Sequence, residues 1–410
     1  MVNSILKNYR IIIPILAIVS MIILSFSFDK NQMQSADCTS GYLSGGANWH
    51  MGYGWRVNRV EMENFSKLSV EERENYRFKE SSEKNLDSYP FNAIGFVYID
   101  YIARNIFFWQ GDIEAVKSFQ RLVHILLSIY ILLILPKVYQ KFLFFFLYAI
   151  NPIVLYFVNF PYYYFWQVLG TSLFLIYIIR GKKIGKWIFL FSLVFAFLFI
   201  TRPSTLFISL FTLLYIGYRE KTVLNSVIAI LIMLGVGFAL KGETKNKPWH
   251  TMYIGVGAYP NEYNITLEDS FGYKKFKEET GKETLGGCKQ NDTYFEYLDF
   301  IKEKYFDIVK KSYPLLIRNA FLNILESYGF GYKANYLYFN YFSAFVGAIL
   351  IILLLYFKHY FLFLAIGISS ISFTPYYPPL GAYMFGSYIL IAYAWIVVID
   401  SILKRRKKDG

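Results

Sequence analysis

The sequence predicts an all-α polytopic membrane protein of about ten transmembrane helices, with two long polar segments on one side of the membrane. Three observations predict it. Hydrophobic residues make up 55% of the 410-residue chain and charged residues only 17%. Several runs, such as "VLNSVIAILIMLGVGFAL" at 223–240, are long and apolar enough to span a bilayer, which takes about 20 such residues. Almost all remaining polarity is gathered in two stretches, 29–117 and 241–339.

The spans are expected at 11–28, 118–136, 142–159, 163–179, 187–200, 203–218, 222–240, 340–357, 359–374 and 380–403. The first is read as a retained helix, because no A-x-A-like cleavage site follows it and further spans come later. At Thr201-Arg202-Pro203 a long apolar run is split into a hairpin, since proline can begin a helix but does not fit inside one. The chain thus divides into 1–28 (cytoplasmic start and first helix), 29–117 (first outer loop), 118–240 (helices two to seven), 241–339 (second outer loop), 340–403 (helices eight to ten) and 404–410 (basic tail).

Cations fix the orientation, because short cytoplasmic loops collect Lys and Arg. The segments placed inside hold sixteen of them, five in the tail "KRRKK", against Glu220, Asp400 and Asp409. That difference is the whole +13 of the chain, so the outer segments are neutral. The basic character therefore reports topology and excludes a nucleic-acid-binding surface as its explanation. Both termini are expected in the cytoplasm of a multi-pass protein of the bacterial inner membrane, with the functional side facing out.

In the second outer segment Leu298, Ile301, Tyr305, Ile308 and Val309 recur at helical spacing, which suits a helix lying on the membrane surface or one packing inside an outer domain. Cys38 and Cys288 both fall outside, where they either pair or stay free thiols. Asn64, Asn264 and Asn291 begin N-x-S/T sequons. No cluster at metal-ligand spacing, P-loop, GxGxxG or GxSxG occurs, so no resident cofactor is expected, while the use of a divalent cation stays open.

The longer spans lack the mid-membrane acids that carriers use, and His124 lies near an outer end, which moves the expected site to the outer interface. There the chain gathers "NFPYYYFW" at 159–166, "NKPWHTMYIGVGAYPNEY" at 246–263, "YGFGYKANYLYFNYF" at 328–342 and "TPYYPPLGAY" at 374–383. Aromatic belts account for part of this, and the excess on one side suits stacking on sugar rings and lipid.

The layout resembles the GT-C superfamily of polytopic glycosyltransferases. The resemblance rests on "SADCTSGYLSGG" after the first span, on "DSYPFNAIGFVYIDYI", "YAINPIVLYFVNFPYYYFWQVLGTSLFL" and "ITRPSTLFI", and on the late outer segment. Two departures stand out: Cys38 follows Asp37 where these enzymes often pair two acids, and "PPLGAYMFG" replaces an Arg-rich segment. The resemblance implies transfer of a sugar from a polyprenyl-phosphate donor to an envelope glycan, lipid or protein by one inverting displacement. It implies a loop carboxylate as base, and Asp37 is the candidate, with Tyr42 five residues on as in the resembling loop; Asp29 and Asp87 are the alternatives. Arg202, in an apolar turn, leads the candidates for holding the lipid phosphate, followed by His250, Lys241 and Arg318. Tyr42, Trp249, Tyr163 and Asp269 are the expected sugar and acceptor contacts. A lipid-linked glycan polymerase or ligase, and a lipid or glycan translocator without chemistry, are the rival readings.

Overall fold

A computed structural model describes residues 15, 18–27, 36–49, 56–89, 93–241, 247–284 and 293–409, with the backbone alone for 36–38 and 407–409. Asp29, Cys288 with its pairing to Cys38, and the sequon at Asn291 lie outside the described residues.

Among the described residues the fold is helical, with one two-residue antiparallel pair, β1 (Arg56–Val57) and β2 (Asp87–Ser88). The chain forms two units. The first comprises Met1–Gly242 with Tyr388–Gly410, the second Glu243–Ser387. In order, unit one contains α1 (Ile18–Ser27), α2 (Ala36–Ala47), α3 (Arg59–Lys67), α4 (Val70–Asn75), α5 (Ile94–Ile106), α6 (Asp112–Ile134), α7 (Val138–Phe144), α8 (Pro152–Val158), α9 (Gln167–Arg180), α10 (Ile188–Thr201), α11 (Thr205–Glu220) and α12 (Val223–Lys241). Unit two contains α13 (Trp249–Gly255), α14 (Asp269–Thr280), α15 (Thr293–Tyr328), α16 (Leu337–Tyr356), α17 (Tyr360–Ser370) and the start of α18 (Gly381–Asp409).

Helix covers each of the ten apolar stretches, with α1 described from residue 18. Among the described residues four helices, α6, α12, α16 and α18, are long and apolar enough to cross a membrane, and a bent pair makes up to five. The stretch expected at 142–159 is bent: Val138–Ala149 and Pro152–Val158 meet at 55°. A π-helical turn, Phe145–Ala149, runs into Asn151, whose side chain caps Ile153 N at 2.9 Å ahead of Pro152. Proline removes the donor that would have continued the ladder, so the chain restarts there.

The outer faces are those of a membrane-embedded protein. On α12, Leu224, Leu231 and Phe238 lie seven residues apart on one face and are 72%, 63% and 60% exposed. Burying one such side chain is worth about 1.5–3 kcal/mol, so a water-facing helix would not leave three in a row, whereas lipid accepts them. The inner faces close by small residues: Gly237 abuts Phe199, where an added Cβ would come within 2.6 Å of the ring.

Two of the acids read as cytoplasmic tie unit one together. Glu220 accepts from Ile184 N at 2.8 Å, Gly185 N at 3.1 Å and the Tyr177 hydroxyl at 3.1 Å. Asp400 takes Lys404 at 2.8 Å together with Lys137 and Tyr139.

In unit two, α15 carries the amphipathic run. Leu298, Ile301, Tyr305 and Ile308 are buried, Val309 is half-buried, and the helix packs on α13 and α14, so this face supplies a protein core. The helix kinks at Ser312, two residues before Pro314, and its second half presents Asn319, Asn323 and Glu326 to the interior.

Candidate active site

Asp37 is the second residue of α2, a helix of sequence ADCTSGYLSGGA. Three glycines and no long aliphatic run other than Leu43 make it a poor helix former, about 1 kcal/mol per glycine below alanine. Tertiary contact holds it, and from Thr39 to Ala47 every residue is buried. Its glycines are where neighbours come closest: a Cβ on Gly41 would stand 2.6 Å from the Tyr89 ring, and one on Gly46 only 1.9 Å from Asp100 Oδ2. Asn48 finishes the helix, donating to Ser44 O at 2.9 Å and accepting from Ser81 N at 3.0 Å.

Tyr42 leads from this helix into an aromatic cluster. Its ring meets Phe96 of α5 at 5.4 Å, Tyr162 at 5.8 Å and Tyr163 at 5.9 Å, all edge-on, as aromatic quadrupoles prefer. Arg202, in the turn between α10 and α11, lies over Tyr163 and Tyr164 with its guanidinium carbon 4.9 and 5.1 Å from the ring centres. Burial pushes the Tyr42 phenol well above its ordinary value, and Tyr163 and Tyr89 push the same way while the Arg202 charge opposes them. Tyr42 is therefore a neutral hydroxyl at any physiological pH. The keystone is α5, with Phe96 in the cluster and Gly95 against Thr201, beside Arg202.

Five of the nine expected site residues, Asp37, Tyr42, Tyr163, Arg202 and Lys241, thus belong to unit one, and the cluster joins Tyr42, Tyr163 and Arg202. Lys241 stands apart from that contact, its ammonium 5.3 Å from the Phe199 ring. Asp87 is exposed in β2 and pairs with Arg59 at 3.4 Å.

His250, Trp249, Asp269 and Arg318 belong to unit two. His250 Nε2 sits 3.3 Å from Asp269 Oδ1, its Nδ1 meets the Tyr297 hydroxyl, and Tyr273 stacks on the ring at 5.0 Å and 13°. A hydroxyl that donates to Nδ1 leaves Nε2–H to donate to the carboxylate, and the His250 hydrogen bond holds Asp269 below the usual carboxylate range. Trp249 packs on Phe306 with Lys302 over its ring. Arg318 donates to Pro260 O at 2.9 Å and to Asn319 Oδ1 at 3.0 Å, and so braces a loop.

Two buried carboxylates escape a reading of the sequence. Asp100 on α5 is fully buried, and neither oxygen has a hydrogen-bond partner among the described residues. Burial and the nearby Asp112 charge push it far above the carboxylate range, against the pull of Arg104 and Arg77. Glu326 on α15 is likewise fully buried, and the hydroxyl of Tyr259, which also stands 3.4 Å from Asn323 Oδ1, faces it. Their sequence signals are a lone acid in the apolar "FVYIDYI" and the Asn319, Asn323, Glu326 stripe. Among the described residues no three His, Cys, Asp or Glu side chains gather as a metal site would require.

No family model matches the chain, and neither a curated protein nor a solved structure resembles it.

Proposed function

We propose that the chain is a membrane glycosyltransferase of GT-C type, with ten spans, both termini in the cytoplasm and its site on the outer face of a bacterial inner membrane. The observation that carries this reading is the contact of α2, the helix bearing Asp37, with the Arg202 turn through Tyr42 and Tyr163. An acid-bearing helix and an arginine joined by tyrosines supply the three parts such a transfer needs: a proton acceptor, a cation for phosphate and rings for a sugar.

In the proposed reaction an acceptor hydroxyl attacks the anomeric carbon of a polyprenyl-phosphate sugar. The new C–O bond forms as the C–O bond to phosphate breaks, Asp37 takes the hydroxyl proton, and the lipid phosphate leaves with its charge held by Arg202. A positioned base contributes a factor of about 100–10,000. Phosphate is already a good leaving group, so cations suffice where a general acid would otherwise be required. Single displacement inverts the anomeric centre.

The test is transfer of radiolabelled sugar from a polyprenyl-phosphate donor by protein reconstituted in vesicles. One added unit per acceptor supports the transferase, and growth of a long chain or transfer of a whole glycan moves the reading to a polymerase or ligase. A separate observation favours translocation: the fully buried His124 of α6 meets Ala149 O at 2.9 Å, at the broken span, and interrupted helices with an ionisable partner are how carriers build sites. Lipid-linked sugar that crosses the vesicle membrane with no bond made or broken would establish that reading and remove the first.

A further inference from the structure

Unit two holds a cavity of about 660 Å³, within the range of small-molecule sites. Its walls are the loop 257–268 and the segment 332–340. Both are fixed in advance. Asn261 uses its whole amide on the first wall, accepting from Tyr263 N and Ile265 N and donating to Tyr259 O and Ile265 O, while Arg318 holds Pro260 O. Asn340 does the same for the second, accepting from Lys333 N at 2.8 Å and donating to Lys333 O at 3.0 Å. The walls are joined by Tyr332, whose hydroxyl donates to Ala258 O.

Four non-glycine residues take positive φ among the described residues, and two of them, Asn264 at 54° and Asn335 at 65°, stand one in each wall. Asparagine is among the few non-glycine residues that take this backbone readily, in turns and at ligand clamps alike. Both residues line the cavity and are exposed, so their side-chain amides are open to a ligand from solvent. Thr266 and the half-exposed ring of Tyr336 join them in the lining.

We propose that this cavity is a binding site for a neutral saccharide. An amide offers a donor and an acceptor side by side, which matches a pair of vicinal hydroxyls, and the Tyr336 ring, with the Lys333 ammonium over one face, has its other face for the C–H side of a sugar. Glu268 is the one charged side chain in the lining itself, and the Lys333 ammonium stands beside it over the Tyr336 ring at 4.0 Å, so the two charges balance and the amides decide the ligand. The second wall runs into α16, one of the helices able to cross a membrane, with Tyr338 91% exposed beside it. The saccharide can therefore come from solution or from a glycolipid headgroup at the membrane boundary. The site rests on unit two alone and not on Asp37, so it stands or falls separately from the transferase reading.

The experiment uses the full chain in phosphatidylcholine nanodiscs and follows cellobiose and N,N′-diacetylchitobiose by saturation-transfer NMR, with glucose 6-phosphate as the charged control. The neutral disaccharides should bind at about 1–10 mM, a weak affinity suited to an open polar site. The double variant Asn264→Gly with Asn335→Gly removes both amides yet keeps residues that accept positive φ, so it should fold as the parent does and bind about tenfold more weakly or worse. Tyr336→Ala should also weaken binding, and Asp37→Asn should not. Competition by a glucosylated diacylglycerol placed in the nanodisc assigns the ligand to the lipid, and its failure to compete assigns it to solution. Absence of binding by either neutral disaccharide, equal binding by the folded double variant, or preference for the phosphorylated sugar would overturn the proposal.

Discussion

Replacing Glu326 by Gln should stabilise the protein, and the gain should grow with pH. Burial raises this carboxyl from 4.5 to about 8, with the Tyr259 hydroxyl opposing the shift. A carboxyl whose folded pKa lies above its unfolded value binds more protons native than unfolded, so its contribution is intact at low pH and is lost as pH rises from about 4.5 through about 8. At pH 7 the difference is about 2.5 units, and at 1.36 kcal/mol per unit that is about 3 kcal/mol of destabilisation; by pH 9 it approaches about 5 kcal/mol. Gln keeps the shape and carries no charge, so it removes the penalty. Thermal unfolding of the parent and of Glu326→Gln in nanodiscs from pH 5 to pH 9 measures it: the parent should lose stability steadily, and the variant should be nearly flat and several degrees more stable at pH 8. Equal pH slopes for the two proteins would refute the claim that Glu326 is held protonated by burial.

Gly46→Ala places a methyl against the buried Asp100 carboxylate, and overpacking of about 1–3 kcal/mol should exceed the roughly 1 kcal/mol that alanine gains in a helix, so the melting temperature should fall; no change would show that α2 and α5 can separate. On the proposal that Arg202 holds the donor phosphate, Arg202→Ala removes a charged contact worth about 1.5–3 kcal/mol, so donor affinity should weaken about 10- to 150-fold with turnover at saturation little altered, as equilibrium binding and single-turnover assays would report. Cysteines engineered at positions within 60–85 or 270–290 should react with an impermeant reagent on intact cells, and cysteines at 182 or 405 should not; the reverse would overturn the orientation.

The helices were legible because lipid imposes a pattern that survives in one dimension: long apolar runs, a proline after Arg202 and cations in the short loops. Length was less legible than position. The run at 142–159 hides its break in Asn151-Pro152, a pair whose meaning depends on the capping geometry it adopts. The face of α15 gave its helical period plainly, but whether lipid or protein covers it is decided by α13 and α14. The candidate site was legible to the extent that its parts are unusual residues in apolar surroundings, as Arg202 is. That Tyr42, Tyr163 and Arg202 meet is a tertiary fact carried by α5, where Gly95 admits Thr201 and Phe96 fills the cluster. Asp100 and Glu326 look like ordinary acids in sequence because burial, the property that sets them apart, arises only when the helices pack.

The central claim is that Asp37 takes the acceptor's proton, and the measurement that tests it compares Asp37→Asn with the parent in donor binding and in single-turnover sugar transfer. Asparagine preserves size and most hydrogen bonding but accepts no proton. Donor affinity should therefore be unchanged while the transfer rate falls by about two orders of magnitude or more. Transfer at a near-normal rate by Asp37→Asn, with Asp87→Asn or Asp29→Asn inactive instead, would mean that another carboxylate is the base, and normal transfer by all three variants would contradict the account.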